Sequence, residues 1–401
     1  MKNKFFLIFL FLGAVLVISV FFINYKKKYK GTNFKFISTD KFYEKLNKPP
    51  DWAILQIQED FQNFSEISSK NIESTYNKIQ SEKSEYKNAF FRYRIHNNKL
   101  YKYDKVDKKI DLEKAILTLL KIKNLPDMEF IYCDLDGLPQ IDGDEAKNVY
   151  EEFYSVEESR QAPIFVQSKI SGYKNLILIP DHNSLSKNWK HLFDKILESN
   201  KSIIWGKKES KAFWRGGTND KEYFLENYKT RPRYIISKLS KENFEIVDAG
   251  FTTSWFVKIE DILRDEDLFK LEASETKHLE YKYLPVIDGH MCTYPGYQWR
   301  LLSSSLCLKQ ESKEIQWFYK GLLPYKHFIP IKNDLSDFLD KIGYLKINDD
   351  LGILIAANAT EFAKENLSFE AVYAYLYDVL IYYSKLFKIN DFDQNKWQKV
   401  E

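Results

Sequence analysis

The chain has 401 residues, 60 lysines and arginines against 57 aspartates and glutamates for a formal net charge of +3, and 16% aromatic residues. The length supports two separate cores, and the balanced charge removes the electrostatic case for a nucleic-acid partner. Cys133, Cys292 and Cys307 are the three cysteines; without a CxxC pair they exclude a disulfide framework and the usual zinc spacing, and they favour a reducing compartment.

Residues 5–23 form an almost unbroken apolar run, long enough at about 1.5 Å per residue to cross roughly 30 Å of hydrocarbon. Lys2 and Lys4 precede it, and Lys26, Lys27, Lys28 and Lys30 follow. The run reads as a single uncleaved transmembrane anchor, with a removed signal peptide as the rival. The heavier positive charge after it keeps the body cytoplasmic if the chain is bacterial; a lumenal orientation stays open. Residues 59–79 space Phe61, Phe64, Ile67, Ile72, Tyr76 and Ile79 in a helical rhythm, and Asn97-Asn98 between apolar arms predicts a hairpin.

Asp111 caps a predicted helix to about Lys123, and Pro126 forces extension into a strand at residues 130–133. Asp134, Asp136 and Gly137 then fall at the carboxyl end of that strand, where open α/β sheets hold their ligands. Three readings fit: a general base, a pair of hard oxygen ligands for a metal, or the nucleophile loop of a haloacid-dehalogenase-like phosphohydrolase using Asp134 and Asp136. Residues 163–169 and 176–181 read as short buried strands. The second ends at Asp181-His182, a place for acceptor contact or for a solvated histidine. Residues 189–200 make an amphipathic helix.

In residues 211–219, KAFWRGGTN, a strand ends at Trp214. Arg215 supplies a planar fork of donors, and Gly216-Gly217 lets backbone amides approach a ligand. Followed by Thr218 and Asn219, the turn suits a diphosphate; the rival is a plain turn with an arginine in a structural ion pair. Asp248 follows a predicted strand at 245–247. Residues 283–287 form another, breaking at Asp288-Gly289. Arg300 then stands ahead of Ser303, Ser304 and Ser305, where a lone arginine and hydroxyls at helix and strand ends suit an anion. A strand at 306–308, an aromatic helix at 314–319 and a strand at 328–331 come next. A helix with small residues follows Asn348, and a last helix at 369–387 carries an aromatic stripe read as core.

These words in this order resemble the CAP10-like glycosyltransferases, a family that includes protein O-glucosyltransferases and bacterial lipopolysaccharide-modifying enzymes. The matching residues are Leu125 to Glu129, Pro139-Gln140, Trp214-Arg215-Gly216, Asp248-Ala249-Gly250, Asp288-Gly289, Arg300 to Ser305, Trp317-Phe318-Tyr319, Leu323-Pro324, His327 to Pro330 and Asp334 to Asp337. The resemblance implies an α/β fold of two Rossmann-like domains facing a cleft, the GT-B arrangement, behind the N-terminal transmembrane helix. The expected divisions are an anchor at 1–30, an acceptor-side domain at 31–195, a nucleotide-sugar domain at 196–365 and a C-terminal helix at 366–401.

It further implies transfer of a glucose- or xylose-class sugar from a UDP-sugar to a hydroxyl of a glycan, lipopolysaccharide or protein, with inversion, no metal and no cofactor beyond the donor. Asp136 is the implied base. Arg215, Gly216, Gly217, Thr218, Asp248, Arg300, Ser304 and Ser305 are implied on the donor side and Asp181 and His182 on the acceptor side; Asp134, which has no counterpart in the family, is placed on the acceptor side as the reserve candidate for the base. The eukaryotic members carry a second arginine soon after the glycine, where this chain has Gly217-Thr218-Asn219; Arg231 and Arg233 are the candidates to replace it. A catalytically silent glycan-binding relative is the remaining alternative.

Overall fold

The computed structural model describes residues 37–81, 85–103, 110–137, 161–220, 223–388 and 392–401. The strands, in chain order, begin with β1 (Ile67–Ser68), β2 (Phe90–His96), β3 (Lys99–Lys102), β4 (Met128–Cys133), β5 (Ile164–Val166), β6 (Lys169–Ile170) and β7 (Leu176–Leu178). β2 and β3 form the expected hairpin: Asn97 and Asn98 sit at φ 49° and 57°, the left-handed pair of a two-residue turn that matches strand twist. β4 is buried along its whole length, as a central strand covered on both faces must be. Its Glu129 is enclosed by Arg92 at 2.5 Å and Arg94 at 3.3 Å.

The first sheet runs β15 (Gln398–Lys399), β3, β2, β4, β5, β7. Only β4, β5 and β7 are mutually parallel, so this sheet is mixed; the β2–β3 hairpin and β15 add antiparallel strands to a parallel half. The second sheet comprises β8 (Glu209–Gly217), β9 (Val247–Thr253), β10 (Tyr281–Val286), β11 (Leu306–Gln310) and β13 (Ile329–Ile331). It is wholly parallel in the order β13, β11, β10, β8, β9. Strand order reverses between β8 and β10, which makes their carboxyl ends a topological switch point. Residues Ile37–Glu401, both sheets included, form one compact unit.

Three expectations are corrected. The fold is mixed α/β without an anchor among its described elements: no helix of the described residues is long and apolar enough to cross a membrane. The 5–23 run lies outside the described residues. The longest helices, Asp349–Asn366 and Phe369–Leu386, instead pack into the protein, the second through Tyr373, Tyr377 and Tyr383 hydroxyls that donate to the carbonyls of Leu185, Asn124 and Glu129. The membrane-bound, single-pass placement rests on the 5–23 run, and no element among the described residues supports it.

The 59–79 helix is two helices, Asp51–Phe61 and Ser69–Ser81, divided at β1. There Asn71 accepts from the Ser68 amide at 3.0 Å, a local bond that competes with helix. The aromatic helix at 314–319 is replaced by β12 (Glu314–Ile315), paired antiparallel with β6, while Trp317 and Phe318 are buried. Tertiary pairing outweighs the spacing of the aromatics.

Candidate active site

The carboxyl ends of the parallel strands in both sheets meet. From β4 comes the Asp134–Gly137 loop, from β5 Gln167 and Ser168, from β7 Asp181; from β8 come Arg215 to Gly217 and from β10 Asp288-Gly289. Between them lies a cleft of about 330 Å³ whose lining includes Asp136, Arg215, Arg233, His278, Tyr294 and Arg300. Asp136, Arg215 and Arg300, spread over the chain, thus share one cavity.

Arg300 projects from the Gly296–Leu302 helix and is 5% exposed. One terminal nitrogen donates to the Gly296 carbonyl at 3.0 Å, its Nε has no partner among the described residues, and the guanidinium lies 4.2 Å from the Trp299 ring centre. Burial pulls its pKa down to about 10, so it stays charged at neutral pH. A buried cation without a carboxylate is costly, and an anion entering the cleft would relieve that cost.

Arg233, in the first turn of the Pro232–Glu242 helix, donates to the carbonyls of Gly217 at 2.9 Å and Asp288 at 3.0 Å and to the Asn219 side chain. It therefore clamps the ends of β8 and β10 together. All three Arg215 guanidinium nitrogens are engaged: Nε donates to the Leu271 carbonyl at 3.2 Å, one terminal nitrogen to the Trp214 and Asp248 carbonyls at 3.0 Å, and the other to the Asp248 carboxylate at 2.8 Å. The Arg215–Asp248 pair is the structural ion pair that the sequence left open as a rival reading. Among the described residues the lining holds these three guanidinium groups and two carboxylates, Asp136 and Glu275; with Arg215 paired to Asp248, Arg233 and Arg300 are the cations left to face an anion.

The Asp136 backbone is pinned from both lobes. Its carbonyl accepts from Ser168 Oγ at 2.6 Å and from Tyr294 OH at 2.5 Å. At the neighbouring Gly137 an added Cβ would lie 2.7 Å from the Ser168 carbonyl oxygen and 3.0 Å from Met291, so only glycine admits this approach.

The remaining sequence candidates sit outside the cleft lining, and their polar groups have other work. Thr218 is fully buried and its hydroxyl accepts from the Trp255 amide at 3.0 Å. Ser305 Oγ donates to the Tyr281 carbonyl at 2.7 Å and accepts from Lys208 at 2.9 Å. Ser304 adopts φ 54° and its amide donates to Thr360.

Gly216 and Gly217 end β8, where a Cβ would strike the Trp214 ring or Thr253. Asp181 is fully buried as the cap of the His182–Leu185 turn, accepting from the Ser184 amide and hydroxyl and from Gln298 at 2.8 Å. His182 is held by Gln167 at 2.7 Å. Asp134 accepts from Tyr132 OH at 3.0 Å.

His278 and Tyr294 escaped the sequence reading. His278 is 4% exposed; Nδ1 lies 2.9 Å from the Ser274 carbonyl, which fixes the proton there, and Nε2 has no partner among the described residues. Burial, with Arg300 and Arg215 nearby, lowers its pKa to about 3. The ring is a neutral acceptor. Burial first, then the Asp136 charge, raises the Tyr294 phenol well above its usual range, so it remains a donor. Neither residue stands in a pattern that marks it; a histidine three residues before an apolar strand is the only trace.

A model of glycosyl transferase family 90 matches residues 48–401. Protein O-glucosyltransferase 3 of Homo sapiens is 28% identical over 82% of this chain and 61% of its own length. Protein O-glucosyltransferase 2 of Danio rerio is 26% identical over 73% and 55%, and protein O-glucosyltransferase 1 of Rattus norvegicus is 24% identical over 84% and 87%. The chain thus spans about six-tenths of the length of the first two. Among solved structures, TarM superposes with a TM-score of 0.32 at 16% identity over 43% of this chain and 35% of its own, too partial a likeness to carry an argument.

Proposed function

The chain belongs to glycosyltransferase family 90, and on that premise we propose that it transfers glucose from UDP-glucose to a protein hydroxyl with inversion at the anomeric carbon. The observation that carries the proposal is the joint lining of one cleft by Asp136, Arg215, Arg233 and Arg300. The relatives' names supply the sugar and the acceptor class.

In this reading the acceptor oxygen attacks the anomeric carbon from the face opposite the diphosphate while Asp136 takes its proton. A carbon–oxygen bond to the acceptor forms, the bond to the β-phosphate breaks, and UDP leaves with the electron pair. Arg300, already desolvated and unpaired, neutralises the charge gathering on the leaving group. Arg233 holds the β8 and β10 ends at a fixed separation, and Arg215 turns from Asp248 towards the diphosphate. His278 Nε2 accepts a donor hydroxyl beside Arg300.

The test uses α-linked UDP-glucose with water as slow acceptor, the first glucose formed being followed by NMR. Inversion gives β-glucose before mutarotation. Initial α-glucose contradicts the stereochemical assignment, and no turnover with any UDP-sugar, with or without protein acceptors, contradicts the proposal.

A further inference from the structure

Arg300 stands on a short helix, Gly296–Leu302, of 7 residues, whose start has no side-chain cap among the described residues. A helix of that length does not hold its place by its own hydrogen bonds, so tertiary contacts set where it lies. One of them crosses between the lobes. Gln298 is fully buried, and its Nε2 donates to the Asp181 carboxylate at 2.8 Å. Asp181 belongs to the lobe of the first sheet, after β7, and Gln298 to the helix that carries Arg300. The same nitrogen lies 3.2 Å from Gln316 Oε1, in the segment after β12.

Asp181 is fixed independently of this bond. It accepts from the Ser184 amide at 3.0 Å and the Ser184 hydroxyl at 2.7 Å, which locks its carboxylate onto the turn after β7. Gln298 Oε1, by contrast, is buried with no partner among the described residues. A polar atom in that state is a net cost to stability, and an apolar side chain of similar length would avoid it. Stability alone therefore does not account for a glutamine here. What its amide supplies is a directed bond to the lobe that holds Asp136.

We infer that Gln298 is a positioning residue for the transfer: through Asp181 it sets the separation between the Arg300 guanidinium and the Asp136 carboxylate. The inference rests on the reaction proposed for the cleft. Neither Gln298 nor Asp181 lines that cleft, so each acts through other residues. The Tyr294–Asp136 bond holds a loop backbone, whereas the Gln298–Asp181 bond holds the helix itself. Its loss leaves Arg233 and Arg300 together on the second lobe, where UDP binds, and lets that lobe shift against Asp136.

The full chain is assayed for UDP release from UDP-sugars, UDP-glucose first, with water as acceptor, and UDP affinity is measured by calorimetry on the same preparations. Gln298→Glu sets two carboxylates against each other, and Asp181→Asn sets two amide nitrogens against each other. Gln298→Met keeps the side-chain length and removes the bond. Each lowers kcat about ten- to a hundredfold and leaves the UDP dissociation constant within about threefold of the parent's. Combining Gln298→Glu with Asp181→Asn exchanges donor and acceptor at unchanged net charge, so the bond re-forms and kcat returns to within about threefold of the parent's. Should the double variant fail to fold, the kcat and UDP affinity of Gln298→Met decide. Parental kcat in any of the three variants that break the bond, loss of kcat and UDP affinity in parallel, or a folded double variant no faster than the single ones overturns the inference and leaves the reaction standing. A parent that releases no UDP overturns the proposed reaction and this inference with it.

Discussion

The hydroxyl of Tyr294, in the segment after β10, donates to the backbone carbonyl of Asp136, in the loop after β4, at 2.5 Å. One bond thus fixes the loop of the proposed base to the lobe that carries Arg215 and Arg300. Tyr294→Phe removes it while Ser168 still holds the same carbonyl. The cost in stability is about 1 kcal/mol. The expected loss in kcat is roughly tenfold, since a small misplacement of a reacting group is felt strongly. Thermal melts and initial rates measured on the same preparation check both figures; unchanged kcat counts against a positioning role.

Arg300 gives a prediction of opposite signs. Because Arg300 is buried and no carboxylate among the described residues forms an ion pair with it, Arg300→Met removes a poorly compensated charge, and the free protein is as stable as the parent or about 1–4 kcal/mol more so. The rise in melting temperature on adding UDP, which reports binding to the native state, disappears. Gly296→Ala acts on the same group from outside: its Cβ would fall 2.9 Å from an Arg300 terminal nitrogen and 2.5 Å from Thr293. It weakens UDP binding without touching a charge. Melting curves with and without UDP test both variants.

His278 sets a pH dependence. Its folded pKa is about 3 and its unfolded value about 6.5, so between those limits the unfolded chain binds the extra proton and stability falls as pH falls. Above about pH 6.5 the contribution is fully present. Between pH 6.5 and 5 the loss amounts to about 2 kcal/mol, at about 1.36 kcal/mol per unit. Urea unfolding of the parent and of His278→Gln at both pH values isolates it: the difference in stability between the two proteins shrinks by about that amount at the lower pH. A constant difference contradicts the neutral, buried ring.

The residues legible in the sequence were those whose chemistry and position both stand out. Asp136 follows a solid apolar strand, Arg215 precedes a glycine pair, and Arg300 interrupts an apolar stretch; all three reach the cleft. Hydroxyls misled, because Thr218 and Ser305 look the same in a sequence whether they meet a ligand or a backbone carbonyl, and here they meet backbone and a buried lysine. His278 and Tyr294 became visible only once two sheets brought residues 136, 278 and 294 to one place. The hairpin at Asn97-Asn98 was local and readable. β12 was not, since its partner β6 lies about 145 residues earlier in the chain and no local periodicity records it.

The most direct test of the account measures sugar transfer and UDP binding together in Asp136→Asn. The side chain keeps its shape and loses its basicity, so turnover falls by about 10²–10⁴-fold while the UDP-induced rise in melting temperature is retained. Transfer at the parent's rate would remove Asp136 from the mechanism and with it the reason for reading this cleft as the site of reaction.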